Sequence, residues 1–174
     1  VEIEKIDFNQ IYIGTTDSLA EELLRDFKKP GETQPVLIED FVCTSAMMKI
    51  LLKDERYRNE DLIEYLKELT GWQKLEEPSR ISGILIEIKN RIYFDQVDFD
   101  KLYEQADSGL RLALDCIAEY ENTLKERHTI DFTMLEYEFL DRLKEGQFED
   151  FLDEIKIVLI DEYQDTNLIQ EDIY

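Results

Sequence analysis

Cysteine and histidine are nearly absent: the 174 residues hold two cysteines, Cys43 and Cys116, and one histidine, His128. No pair among them has metal-ligand spacing, which excludes a structural zinc site. Both cysteines lie in apolar helical patterns and read as small buried thiols, with a bridge between them as the weaker alternative. Proline and glycine are few, at three and six, and no glycine begins the G-x-x-x-x-G-K-[ST] loop that cradles phosphates. Basic residues are also short, 20 against 42 acidic ones, for a formal net charge of -22. Such a chain repels a phosphate backbone at long range, so strong electrostatic nucleic-acid binding by this stretch is excluded and any contact is local. No apolar run approaches the ~18 residues of a membrane span, and Val1-Glu2-Ile3-Glu4-Lys5 lacks a basic stretch leading into an apolar one.

What is present is apolar and largely helical. Hydrophobic residues make up 43% and aromatics 11%, enough for a core despite the charge. The length suits one domain, with at most a small appendage. Gln10-Ile11-Tyr12-Ile13-Gly14 reads as a short buried strand, and Thr15-Thr16-Asp17-Ser18 as the capped start of a helix carrying Leu19, Leu23, Leu24 and Phe27. The stretch 29–35, with Pro30, Gly31 and Pro35, is the clearest loop. Further helices are predicted from about Glu39 to Leu52, from Asn59 or Asp61 to just before Gly71, and from Pro78 through Ile92. Others follow at Asp98 to Gln105, Gly109 to Leu124, Thr133 to about Lys144, and briefly Phe148 to Leu152. Trp72 is expected to pack against its neighbours.

Ile155 to Ile160 reads as a second strand, running directly into Asp161-Glu162. Both strands are almost wholly apolar, as parallel strands covered on both faces are, yet two strands cannot make such a sheet alone. The expectation is a piece of something larger, mainly helical, whose unpaired strands would self-associate or rearrange.

The informative stretch is Ile157-Val158-Leu159-Ile160-Asp161-Glu162-Tyr163-Gln164-Asp165-Thr166-Asn167, with Gln170 three residues on. An apolar strand ending in adjacent carboxylates sets them at the carboxyl edge of a sheet, where open α/β folds bind ligands. The first carboxylate suits Mg²⁺ and the second can take a proton from water attacking a γ-phosphate. Alone, an Asp-Glu pair after a strand is most often a solvated turn. The longer string is more specific: residues 157–170 closely resemble the second conserved motif of UvrD/Rep/PcrA-type superfamily 1 DNA helicases, an apolar strand followed by DE-aromatic-QDTN and a later Gln.

Other segments agree in order. Ile11 to Leu19 resembles the family's strand plus GTxHSL segment, which helps hold single-stranded DNA. Ile81-Ser82 with Lys89-Asn90 resembles a helical stretch of the family's insertion, and Tyr120 to Arg127 leading into Ile130-Asp131-Phe132-Thr133-Met134-Leu135 resembles Y-x₃-L-x-x-R followed by LDFxDLL. Two positions depart from the pattern: Asp17 stands where His is usual, and Met134 where a second Asp is common.

The resemblance implies a mainly α chain: a helical insertion domain (1B-like) at 29–130, flanked by two short strands of an incomplete P-loop NTPase (RecA-like) α/β core. The core parts would be 1–28, with the GTxHSL-like motif, and 131–174, with the DF segment and the DEYQD strand. It implies that Asp161 serves Mg²⁺, Glu162 activates water, Gln164 links nucleotide state to the DNA motifs, and Thr15, Thr16 and Ser18 contact DNA. Tyr163, Asp165 and Thr166 read as packing or turn-capping residues. The implied parent is a cytoplasmic, nucleoid-associated enzyme that uses ATP to translocate on single strands and unwind duplex, 3′ to 5′, in repair or replication. Its partners would be DNA, ATP and the rest of the helicase chain, and the 174 residues alone would be inactive. Rival readings are the helicase part of a RecB/AddA-like nuclease and a freestanding acidic helical interaction module. The latter gains from charge, since residues 131–174 hold 14 acidic and three basic side chains.

Overall fold

Short polar side chains start most of the helices. Thr15, Asn59, Asp98, Asp107, Asp131 and Asn167 each accept the backbone N–H three residues on, satisfying a donor that the first helical turn leaves unpaired. The computed structural model describes residues 11–174. Its helices are α1 (Thr16–Asp26), α2 (Asp40–Leu52), α3 (Glu60–Thr70), α4 (Pro78–Phe94), α5 (Phe99–Gln105), α6 (Ser108–Glu126), α7 (Phe132–Lys144), α8 (Glu149–Glu154) and α9 (Leu168–Ile173). Gly71 closes α3 in the left-handed conformation, φ 71°, that a residue without Cβ adopts freely.

The apolar stripes predicted for α4 and α6 face a first cluster. Met47 and Leu51 of α2, Leu66 of α3, Ile81 and Leu85 of α4, and Leu114 and Ile117 of α6 are buried in it. Helices α3 and α6 approach closely at Gly109, where a Cβ would lie 2.5 Å from the carbonyl oxygen of Asp61 and 2.5 Å from Cβ of Tyr65. A second cluster joins Ala20, Leu23 and Leu24 of α1 to Leu135 and Phe139 of α7, with Ile130 and Phe148. Phe27 meets Phe148 edge-on at 5.6 Å between ring centroids. Cys43 and Cys116 are free and buried, as expected, and burial pushes both thiols up.

The chain is mainly α, but neither predicted strand forms. Of the first, Gln10 lies outside the described residues and Ile11 to Gly14 is irregular; 155–160 is likewise without regular structure. Ile13 is 90% exposed and Leu159 91%. The reason is the one that made two strands insufficient: a strand needs a paired neighbour, and neither segment has one among the described residues. The sheet that does form was not predicted. It pairs β1 (Val36–Leu37) with β2 (Thr129–Ile130) in parallel, Val36 opposite Thr129 and Leu37 opposite Ile130. Trp72 is 44% exposed, with the Arg80 guanidinium 4.9 Å from its ring centroid.

A buried ion pair joins the two clusters. Lys89 of α4, wholly buried, donates to Oδ2 of Asp131, and the Tyr120 hydroxyl of α6 donates to the same oxygen at 2.9 Å. Oδ1 of Asp131 receives the Met134 N–H at 2.9 Å, capping α7. Burial, reinforced by the Asp131 carboxylate, drives the Tyr120 hydroxyl far above its ordinary range and keeps it a donor. The next residue on α4 repeats the connection, Asn90 Oδ1 accepting Thr133 Oγ1 at 2.9 Å. Among the described residues no helix is long and apolar enough to cross a membrane.

Removing one member of a buried ion pair strands the other charge, so Lys89→Met is expected to cost ~3–5 kcal/mol in urea unfolding. Adding Asp131→Asn should recover much of that loss, and a single-variant cost below ~1 kcal/mol would contradict the role given to the pair. Gly109→Ala is expected to lose ~1–3 kcal/mol by forcing α3 and α6 apart; unchanged stability would show that the contact yields.

Candidate functional site

Beyond α8 the chain runs exposed through 155–160 and then turns sharply. Asp161 Oδ1 accepts the Glu162 N–H at 3.0 Å. Glu162 itself adopts φ 52°, ψ 37°, a left-handed conformation that costs a residue with a Cβ ~1–2 kcal/mol. Its Oε2 accepts Nε2 of Gln164. A single 3₁₀ turn, Tyr163–Asp165, follows and is closed by Asp165 N–H to the Glu162 carbonyl at 2.8 Å. Thr166 Oγ1 donates to the Tyr163 carbonyl at 2.8 Å, the turn-capping role expected from its chemistry. Asp161, Glu162 and Gln164 therefore share one exposed turn.

That turn is anchored from behind by α9. Asn167 and Gln170 form a reciprocal capping box, and Ile169 is fully buried. Gln170 Nε2 donates to Oε1 of Glu136 at 2.6 Å, and Asn167 Nδ2 lies 3.4 Å from its Oε2. Near the end of α9, Asp172 Oδ2 accepts from Gln96 Nε2 at 2.9 Å and from Lys144 Nζ at 3.1 Å.

Thr15, Thr16 and Ser18 stand together at the start of α1. Thr15 Oγ1 accepts the Ser18 N–H at 3.2 Å, and Ser18 Oγ donates to the Thr15 carbonyl at 2.8 Å. Tyr12 Oη lies 2.9 Å from Ser18 Oγ. Thr16 Oγ1 and Tyr174 Oη are 2.6 Å apart, which ties the start of α1 to the end of α9. Thr15 and Ser18 are exposed, while Thr16 and Asp17 are half-buried.

One neighbour of the candidate site, Glu136, escaped the reading of the sequence, and the capping role of Asn167 and Gln170 was not read from the motif that contains them. Glu136 is 4% exposed on α7, and it interrupts the apolar stripe of Leu135, Phe139 and Leu140; a carboxylate there signals a hidden partner. Asn167 and Gln170 have capping-box spacing, which announced the short helix α9. Asp17 lies against Glu136, and burial pushes the carboxyls of both up.

The turn offers hard oxygen donors, the chemistry that Mg²⁺ prefers. Among the described residues no group of three or more His, Cys, Asp or Glu side chains is arranged for a metal, so a cation at Asp161 would draw its remaining ligands from phosphate oxygens and water. A groove of about 570 Å³ lined by Arg56, Arg58, Cys116 and Glu119 contains none of the six predicted site residues. No curated protein and no solved structure matches this chain. The family model for the UvrD/REP helicase N-terminal domain matches residues 2–174, a span that takes in the α1 start, all the helices and the Asp161–Gln164 turn, and the chain therefore belongs to that helicase family.

Proposed function

We propose that this chain is the stretch of an ATP-dependent DNA helicase that carries the Mg²⁺ and water-activating carboxylates, a DNA-contacting segment and the helical insertion between them. Residues 1–28 and 131–174 belong to the motor core and 29–130 to the insertion; the separate apolar clusters of α1 with α7 and of α2, α3, α4 and α6 support that division. The observation that carries the reading is the family match over 2–174, which encloses an exposed turn holding Asp161, Glu162 and Gln164 together. A non-glycine residue held left-handed at the proposed base is the kind of strain that functional turns retain.

Mg²⁺-bound ATP, when held here, would supply the phosphoryl group and a charge that neutralises the one developing on it. Asp161 would hold the cation and Glu162 would accept the proton of the attacking water, while Gln164, hydrogen-bonded to Glu162, fixes the direction of that carboxylate. Thr15, Thr16 and Ser18 offer hydroxyls to single-stranded DNA. The parent translocates 3′ to 5′ and unwinds duplex in the cytoplasm, in repair or replication. Exposed Ile13, Ile157 and Leu159 support strand pairing with the rest of the helicase core; in isolation the same segments would pair with a second copy.

These 174 residues contain no phosphate-cradling loop, and positioning dominates phosphoryl transfer, so alone they hydrolyse no ATP. In a helicase chain that supplies the loop, Glu162→Gln is expected to leave nucleotide affinity near wild type and to slow steady-state hydrolysis by ~10²–10⁴. Unchanged turnover would remove Glu162 from the mechanism, and hydrolysis by the 174 residues alone would overturn the need for an external loop.

A further inference from the structure

Helices α1, α7 and α9 meet at two carboxyl groups. Glu136 of α7 receives Gln170 and Asn167 from the start of α9. From the other side it meets Asp17 of α1, whose Oδ1 is shielded from solvent and has no donor. Among the described residues, the charged and polar groups that meet at this point are Asp17 from α1, Glu136 from α7, and Asn167 and Gln170 from α9. Neither carboxyl takes part in any of the ion pairs formed among the described residues. Lys144 and Gln96 are taken up by Asp172, and Asn90 of α4 by Thr133. Two ionised carboxylates in contact, without an ion-pair partner and one of them buried, repel; one bound proton turns that repulsion into a hydrogen bond and gives the orphaned oxygen its partner.

We propose that Asp17 and Glu136 share one proton, and that this acid pair positions the catalytic turn by latching α9 to the segment that carries Thr15, Thr16 and Ser18. The helicase reading matters here only for what the latch connects. Glu136 acts through Gln170 and Asn167, which anchor the chain directly after Asp161, Glu162 and Gln164, while Asp17 sits between Thr16 and Ser18. Loss of the proton sets two like charges against each other at this junction and loosens α1 from α7 and α9. Asp17, where a histidine is usual in the resembling helicases, is thereby one half of the latch.

The sign of the pH dependence follows from burial, which raises both carboxyls. A group whose folded pKa lies above its unfolded value stabilises the fold fully below the unfolded value, near ~4, and loses that contribution as pH rises through the folded value. Docking of α9 is therefore tighter at acidic than at alkaline pH. General repulsion in a chain of net charge -22 follows the same direction, so the informative quantity is the difference between wild type and Glu136→Gln, which keeps the shape and carries permanent hydrogens.

The experiment is thermal unfolding of the chain across pH 5–8, together with carbon-detected titration of the Asp17 and Glu136 carboxyls and amide exchange over 168–173. In wild type one of the two carboxyls should titrate above the ordinary range, and α9 protection should fall as it does so. Across that range wild type should lose at least ~3 °C more in Tm than Glu136→Gln. Both carboxyls titrating independently in the ordinary range, or parallel pH profiles for the two proteins, would overturn the proposal. Should Glu136→Gln fail to fold, Asp17→Asn at the half-exposed member gives the same readout. Neither ATP nor DNA enters these measurements, so the latch and the hydrolytic role of Glu162 stand or fall separately.

Discussion

A carboxylate placed between two apolar clusters must find charged or hydrogen-bonding partners for each oxygen, and the architecture follows from how Asp131 finds its own. Oδ2 takes Lys89 of α4 and Tyr120 of α6; Oδ1 takes the first turn of α7. One side chain thus ties the two longest helices, α4 and α6, to the start of α7. Such a pair contributes little beyond a well-packed apolar substitute, but either partner alone is costly, so it enforces one arrangement of the helices over others. Glu136, one turn further along α7, inherits its position from that arrangement, and α9 and the turn before it inherit theirs from Glu136.

The candidate site is consequently rigid behind and open in front. Behind it, the Asn167–Gln170 box and buried Ile169 fix where the chain resumes helical form. In front, Asp161, Glu162 and Gln164 hydrogen-bond among themselves and face solvent.

Helices were legible because their signals are local. Caps three residues ahead of their targets and apolar stripes at helical spacing located α1 to α7, and Gly71 marked an end that its left-handed backbone satisfies. The strands were legible as apolar runs, but 155–160 could not be read as unpaired in this chain, because a strand's state is decided by a neighbour. The β1–β2 pair escaped for the same reason, being two residues long and joined by a contact remote in sequence. The side chains proposed for the site stand together in the Asp161–Asn167 string. Their supports do not: Glu136 meets Asp17 and Gln170 only after three helices have packed. The Lys89-Asn90 and Asp131-Phe132-Thr133 segments, which stood apart in the sequence as separate markers, turn out to be the two halves of a single polar network.

The parallel sense of β1 and β2 has a mechanical meaning. The chain enters β1 at its leading end from the α1 side and leaves β2 at its trailing end into α7, so the two attachments of residues 38–128 lie at opposite ends of the ladder. Tension drawing the attachments apart acts along the strands in opposite directions, and the bonds from Val36 N–H to His128 and from Ile38 N–H to Ile130 share that load in shear rather than opening one after another. A short parallel pairing thereby resists pulling better than a hairpin of equal length would at its open end, and it gives residues 38–128 a neck suited to bearing force.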